Sequence, residues 1–468
     1  MRKNILCVLC GYVLRIFAFR RGRVMPKRYD VVVIGAGPAG LMAAKTLAEN
    51  GFAVALLERK QSIARIRRAD GGAIGINEYL YDRLVLFNAH HKKFCFPVDG
   101  FSVPYDGPYA NIYGFQMYSP GKKRILFGDW EEAKRRGDEV RVGISISKEA
   151  LLGGLLEECR GGGVEVFPGI NLTDLRKTRD SVLVNGDGQL FEGSFVIAAD
   201  GVNSRTVRLL GLNTGRKFKG TYRYLTWMLK GEVPIDQGSF NFIVTEKGTY
   251  ALYDTYEQGV YHVSAFNSDP AADLNESLQE LIYKDKTYAP WFAGCVRTEI
   301  INCVSNILSP IEVPFKDNVL IIGDAAWTME FSNMAALCNG WKAGNALTLA
   351  LMDRKYNKEG LKSYLEWWEK NFYIPYGRFE FGPMGGGGTI LQSYLSSEEL
   401  DYLASLIDKP FPATMNFFTL FNALGSAYAE LFPRIYDERP EVMDKLFALR
   451  NRFDEIGEGI RRAGFPNL

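Results

Sequence analysis

Asp30-Val31-Val32-Val33-Ile34-Gly35-Ala36-Gly37-Pro38-Ala39-Gly40 decides the fold of this chain. Consecutive valines ending in isoleucine, with no polar alternation, predict a strand buried on both faces over 30–34. Gly35, Gly37 and Gly40 then give the GxGxxG spacing. Such a loop allows a tight turn and the close approach of a pyrophosphate, which rests on the positive end of the helix that follows. Pro38 and Ala39 open that helix, which is expected to reach about Asn50 and to lead into a second buried strand over 53–57. Glu58 closes this strand 18 residues after Gly40. There a carboxylate accepts hydrogen bonds from ribose hydroxyls. These features predict a β-α-β unit built for a dinucleotide.

The remaining composition is that of a large globular protein. With 468 residues, 47% hydrophobic and 24% charged, the chain has volume for two or three domains, and disorder, collagen-like repeats and a small disulfide scaffold are excluded. Basic and acidic residues nearly cancel, 56 against 54. Yet residues 1–24 hold Arg2, Lys3, Arg15, Arg20, Arg21 and Arg23 and no acid, and without those six the formal charge falls from +2 to −4. No basic face recommends a nucleic-acid partner. Cysteines at 7, 10, 95, 159, 295, 303 and 338 form no pattern and fit a reducing, cytoplasmic compartment.

Residues 5–14 are apolar but too short to span a bilayer, and no small-residue cleavage site follows. Two readings stand for 1–25: a non-core extension ahead of the fold, which would start near Met25, or a basic amphipathic anchor at a membrane surface. Cys7 and Cys10 lack the surroundings of a redox or zinc pair, leaving lipidation or no role.

Further along, 148–160 is expected to be a helix, 164–167 and 181–184 short strands, 194–199 a buried strand and 204–210 a short helix. Residues 221–267 are rich in aromatic and β-branched residues, with turn signals at 247–248 and 258–259. They predict an antiparallel sheet. Residues 319–322 return to buried-strand character, and a long helix is expected to about Leu351. The remainder reads as helical, with a flexible glycine run at 385–388.

Two later stretches specify the dinucleotide: Ala198-Ala199-Asp200-Gly201-Val202-Asn203-Ser204-Arg205, and Gly323-Asp324-Ala325-Ala326 between a strand and a helix. Together with the glycine loop they resemble the flavoprotein superfamily of p-hydroxybenzoate hydroxylase and the geranylgeranyl reductases. The resemblance covers roughly 29–350. It implies that Asp200 and Gly201 lie near the pyrophosphate, that Gly323 and Asp324 hold the ribityl chain, and that Met334 and Ala335 lie near the flavin. Glu58-Arg59-Lys60, Asp70-Gly71-Gly72-Ala73-Ile74 and the 337–344 segment LCNGWKAG look like geranylgeranyl reductase motifs. The fold implied is α/β: a doubly wound Rossmann-type FAD domain from 26–95, 141–215 and 296–352, an antiparallel β-sheet substrate domain from 96–140 and 216–295, and a helical C-terminal cap over 353–468.

The chain also departs from those reductases. Asp70 stands where they carry Cys, Ser147 where an Arg is common, and their WxFP motif is absent near 250–256. Their Pro-Thr-Gly-rich loop over the flavin becomes Glu330-Phe331-Ser332-Asn333-Met334-Ala335-Ala336. Phe331, Met334 and Trp327 are expected to narrow the pocket, and Glu330 is a candidate proton donor if burial raises its pKa. Alternatively, the loop packs outward under the cap.

Weaker candidates have bland readings. His90-His91 reads as a solvated loop, and His262 as a satisfied strand residue. Tyr222/Tyr224 and Phe240/Phe242 share faces at period two, as core or as a lining for an apolar substrate. Phe417, Phe418 and Phe421 read as a core stripe. Zinc and serine hydrolase motifs are absent from the sequence.

The expected function is that of an enzyme binding FAD noncovalently, an oxidoreductase passing a hydride from reduced flavin to an apolar or prenyl-like substrate, with NAD(P)H or another donor. A flavin monooxygenase shares every cofactor motif, and a non-catalytic flavin-binding protein is the third reading.

Overall fold

The computed structural model describes residues 26–66, 68, 72–80, 83–267, 269, 271–327, 333–374 and 394–448. The 1–25 extension, Asp70 and Gly71, the candidate catalytic pair Glu330 and Phe331, and the glycine run 385–388 lie outside the described residues.

The unbroken apolar run is strand β1 (Lys27–Ile34), and it is apolar because both of its faces and both of its edges are covered. On one side it pairs in parallel with β2 (Val54–Glu58), on the other with Gln189–Ala198. Helix α1 (Pro38–Glu49), opened by proline at its first position, crosses between β1 and β2. The sheet continues in the order Glu165–Pro168, β2, β1, Gln189–Ala198, Val182–Gly186, Leu172–Lys177. The last half of Gln189–Ala198 also pairs in parallel with Val319–Ile321. Ile34 lies opposite both Leu57 and Ala198, and Ala198 lies opposite Ile321. Four strands therefore end at one level, and the loops leaving them carry Gly35, Arg59, Ala199 and Ile322. Ligands of open α/β sheets bind off these carboxyl ends.

Helix Asn333–Met352 packs directly on α1. A Cβ at Gly340 would meet the Ala39 carbonyl oxygen at 2.3 Å, and one at Gly344 would meet Thr46 Cβ at 2.7 Å. The LCNGWKAG segment thus brings two helix backbones together, one turn behind the glycine loop.

The second sheet has the order Arg124–Phe127, Gly114–Tyr118, Ser239–Val244, Thr249–Asp254, Val260–Asn267, Phe218–Lys230, Val296–Leu308. Its neighbours are antiparallel except Gly114–Tyr118 and Ser239–Val244, which run parallel and join two distant pieces of chain. A boundary at 296 cuts this sheet, because Val296–Leu308 pairs with Phe218–Lys230 along its length. That strand mixes Thr, Glu, Asn, Cys and Ser with its apolar residues, so it lacks the aromatic texture of its neighbours. Likewise the hairpin Lys93–Phe96 and Phe101–Pro104 straddles the other boundary, with Phe94, Phe96 and Val103 buried in the same core as β1.

One face of the second sheet is covered by the segment 274–292, with Trp227, Leu229, Tyr250 and Leu252 packed on Leu274, Leu278 and Phe292. The opposite face meets the C-terminal helices, where Leu420 of Phe417–Glu438 packs with Phe115 and Phe127. Phe421, read as core, is exposed beside buried Leu420; the side chains of Phe417 and Phe418 lie outside the description. The C-terminal region also reaches the dinucleotide side, where Trp368 and Phe372 join its core and the Trp368 indole N–H donates to the Ile311 carbonyl at 2.8 Å.

Candidate active site

Gly35 adopts φ +101°, a left-handed conformation, and a Cβ on it would lie 2.3 Å from the Ala199 carbonyl oxygen. Only glycine combines that backbone with that approach. The glycine loop therefore rests on the start of the Asp200 motif. Gly37 precedes α1, and a Cβ there would meet nothing within 4 Å. The open space faces the first turn of α1, whose N–H groups have no intrahelical acceptor. Glu58 is buried, and its carboxylate accepts the Ala36 N–H at 2.8 Å and the Lys60 N–H at 2.9 Å. Each oxygen keeps acceptor capacity for a hydroxyl. Arg59 is exposed. Burial lowers the Lys60 pKa against the pull of Glu58, and its ammonium donates to the Ile63 and Arg65 carbonyls.

Asp200 spends its carboxylate within its own turn. It accepts the Ser204 hydroxyl at 2.6 Å and both the N–H and hydroxyl of Thr206 at 3.0 Å. Gly201 follows with φ +76°. Asp324 lies in the turn Gly323–Ala325, with its half-exposed carboxylate 3.8 Å from the Arg68 guanidinium. That turn touches the cofactor loop, since a Cβ at Gly323 would be 3.1 Å from Ala39 Cβ. Met334 and Ala335 are buried in the first turn of Asn333–Met352. Trp327 packs against Phe372 with ring centroids 5.7 Å apart, which places its bulk against the C-terminal region.

Segments around 35–40, 199–201 and 323–325 thus meet at the N-terminus of α1. The set fits FAD on three counts: open space at Gly37 for a pyrophosphate, a buried carboxylate at Glu58 for a ribose, and a second, accessible carboxylate at Asp324 across the loop.

The second sheet presents an aromatic face that reaches the dinucleotide core. Tyr222 packs against the dinucleotide core, stacks on Tyr224 at 6.4 Å, and Tyr224 meets Phe266 at 5.9 Å. Burial pushes the Tyr224 phenol well above its usual pKa, so it stays protonated. Farther along, Phe240 and Phe242 pack with Phe115 beneath the C-terminal helix, so this pair is core. Between these groups lie a buried Thr226–Ser264 hydroxyl pair at 2.7 Å and His262 Nδ1 3.0 Å from the Tyr253 hydroxyl. A cavity of about 460 Å³ is lined by Arg223, Tyr224, Leu225, Asn302, Cys303 and Val304, beside the segment 271–275.

Several interactions were not anticipated from the sequence. Ser147 caps the helix Lys148–Gly161 by accepting the Ala150 N–H at 3.2 Å. Asp254 accepts the Gly238 N–H at 2.9 Å, and burial raises its pKa to about 6. Lys342 meets buried Asp99 at 2.6 Å, and the Cys338 thiol donates to the same carboxylate at 3.3 Å. His90 and His91 sit in a turn with their rings 4.8 Å apart. Among the described residues no His, Cys, Asp and Glu cluster could hold a metal ion, and no described helix is long and apolar enough to cross a membrane.

Comparison with known proteins agrees with this geometry. Residues 28–80 match the FAD binding domain family. A digeranylgeranylglycerophospholipid reductase of Methanococcoides burtonii is 25% identical over 439 residues, covering 90% of this chain and 97% of the relative. Another, from Methanocella arvoryzae, is 34% identical over 202 residues, 42% of this chain and 45% of that protein. Among solved structures, a geranylgeranyl bacteriochlorophyll reductase-like protein of Thermoplasma acidophilum aligns with a TM-score of 0.66 at 17% identity, covering 91% of this chain and all of the other. A p-nitrophenol 4-monooxygenase of Pseudomonas putida aligns at 0.56 and 15% identity over 91% and 98% of the two chains. The structural likenesses are of fold.

Proposed function

We propose that this chain, a geranylgeranyl reductase-like FAD-dependent oxidoreductase, saturates carbon–carbon double bonds in a prenyl-type lipid. The observation that carries the reading is the Tyr222–Tyr224–Phe266 wall, which rises from the dinucleotide core. A flat aromatic surface suits an isoprenoid chain, which offers only apolar contacts and π-faces. Support also comes from the reductase relatives, which are named for a digeranylgeranylglycerophospholipid substrate. FAD, when bound, supplies the hydride chemistry.

The roles of the chain are binding, orientation and exclusion of water. The first turn of α1 receives the pyrophosphate, Glu58 holds the adenosine ribose, and Asp324 holds the ribityl chain. Tyr222, Tyr224 and Phe266 hold the lipid chain against the cofactor side. Leu420 and Met415 close the far end, where Met415 packs on Gly75 and Gly143. A dry wall of this kind favours transfer to carbon over side reactions with water.

The test is a single-turnover reaction. Chemically reduced protein is mixed anaerobically with a geranylgeranyl glycerolipid, and the lipid is analysed by mass spectrometry. The expected result is flavin reoxidation with a gain of two hydrogens per double bond. Reoxidation only on admission of oxygen, with oxygen appearing in the product, would replace this reading with a monooxygenase.

A further inference from the structure

We infer that Arg216 is a positioning residue that latches the Asp324 turn, and through it the flavin half of the cofactor, to the two chain crossings between the sheets. Its guanidinium makes three bonds, one within its own turn and two to other segments. Nε donates to the Ser309 carbonyl at 2.6 Å, one terminal nitrogen to the Ala326 carbonyl at 3.1 Å, and the other to the Asn213 side-chain oxygen at 3.2 Å. Asn213 lies on the path out of the dinucleotide sheet into Phe218–Lys230, and Ser309 on the path back from Val296–Leu308. Ala326 ends the turn that carries Asp324, and its carbonyl also accepts the Ile311 N–H at 3.2 Å.

The two crossings are bound to each other as well. Lys217 donates its N–H to the Ser309 hydroxyl at 3.0 Å and accepts the Ser309 N–H at 2.9 Å. Arg216 ties this doubled strap to the cofactor turn. Among the described residues no carboxylate pairs with it, although burial pulls its pKa only to about 10 and it remains a cation at neutral pH. A partly buried cation that forms no ion pair is costly. Its forked geometry, which spans three acceptors at once, is what lysine cannot reproduce.

The three bonds of the Arg216 guanidinium reach neither the glycine loop nor Glu58, which on the proposed function hold the other half of the cofactor. The latch should therefore matter to the riboflavin half of FAD and not to the ADP half. Protein freed of flavin is titrated with FAD and separately with ADP, for the unaltered chain, Arg216→Met and Arg216→Lys. The expected result is an FAD affinity at least tenfold weaker in Arg216→Met with ADP affinity unchanged, and an intermediate FAD loss in Arg216→Lys. The bound flavin absorption band should shift in both variants. Equal losses for FAD and ADP, or no loss of FAD, would overturn the inference. If Arg216→Met fails to fold, the FAD-to-ADP ratio in Arg216→Lys decides alone.

Discussion

The Glu58 carboxylate accepts the Ala36 backbone N–H at 2.8 Å, so the end of β2 and the glycine loop of β1 hold each other in place. A residue at the tip of one strand sets the shape of the loop on its neighbour, and both belong to the proposed cofactor site.

Replacement of Glu58 by Ala removes that acceptor and the proposed ribose ligand together. A buried N–H left unpaired costs about 1–3 kcal/mol. FAD and ADP affinity should both fall by a similar factor, which isothermal titration would read. FMN affinity should fall less, since it has no adenosine ribose. Equal losses for FMN would place Glu58 away from that ribose.

Gly37 and Gly340 should respond in opposite ways to alanine. At Gly37 the φ is −76° and the new methyl meets no protein atom. Gly37→Ala should keep the melting temperature of the flavin-free protein and lose FAD. At Gly340 the methyl strikes the Ala39 carbonyl, and overpacking of this sort costs about 1–3 kcal/mol. Gly340→Ala should melt several degrees lower even without flavin. A stable Gly340→Ala would mean that the two helices part easily.

Asp254 gives the protein a pH signature. Its folded pKa is raised to about 6 by burial, above the roughly 3.9 of an unfolded Asp. Between these values the folded form holds a proton that the unfolded form has lost, so stability falls as pH rises from about 4 to 6 and then levels. Asp254→Asn keeps an acceptor for the Gly238 N–H and removes the titration. Chemical denaturation across that range should show the slope flattened in the variant. An unchanged slope would assign the titration to another group.

Lys342→Met leaves the buried Asp99 carboxylate without its cation. Loss of one partner of a buried pair costs about 3–5 kcal/mol. Adding Asp99→Asn should restore much of the stability, measured as a double-mutant cycle. Additive losses would show that the pair contributes little and that Asp99 is held by other groups.

The dinucleotide fold was legible because its signals are local. A run of β-branched residues, glycines at fixed offsets and an acid at the end of the next strand each state a requirement within a short window. The Asp200 and Asp324 motifs were legible as resemblance, and the structure brings both against α1. Two things were not legible. The strand Val296–Leu308 shows no aromatic texture, and only its pairing with Phe218–Lys230 assigns it to the second sheet. The carboxylate of Asp200 is consumed by Ser204 and Thr206, a matter of rotamer and turn geometry.

The sequence by itself determined which segments are strands and helices around the cofactor, that the cofactor is a dinucleotide, and that it is FAD. The tertiary structure decided which faces meet. It packed Tyr222 against the dinucleotide core, with Tyr224 stacked on it, but Phe240 and Phe242 with Leu420, although both pairs have the same spacing. It also gave Arg216 its three acceptors from Asn213, Ser309 and Ala326. Periodicity says that a side chain leaves one face of a strand. What covers that face depends on elements hundreds of residues away, and on close packing that no local pattern encodes.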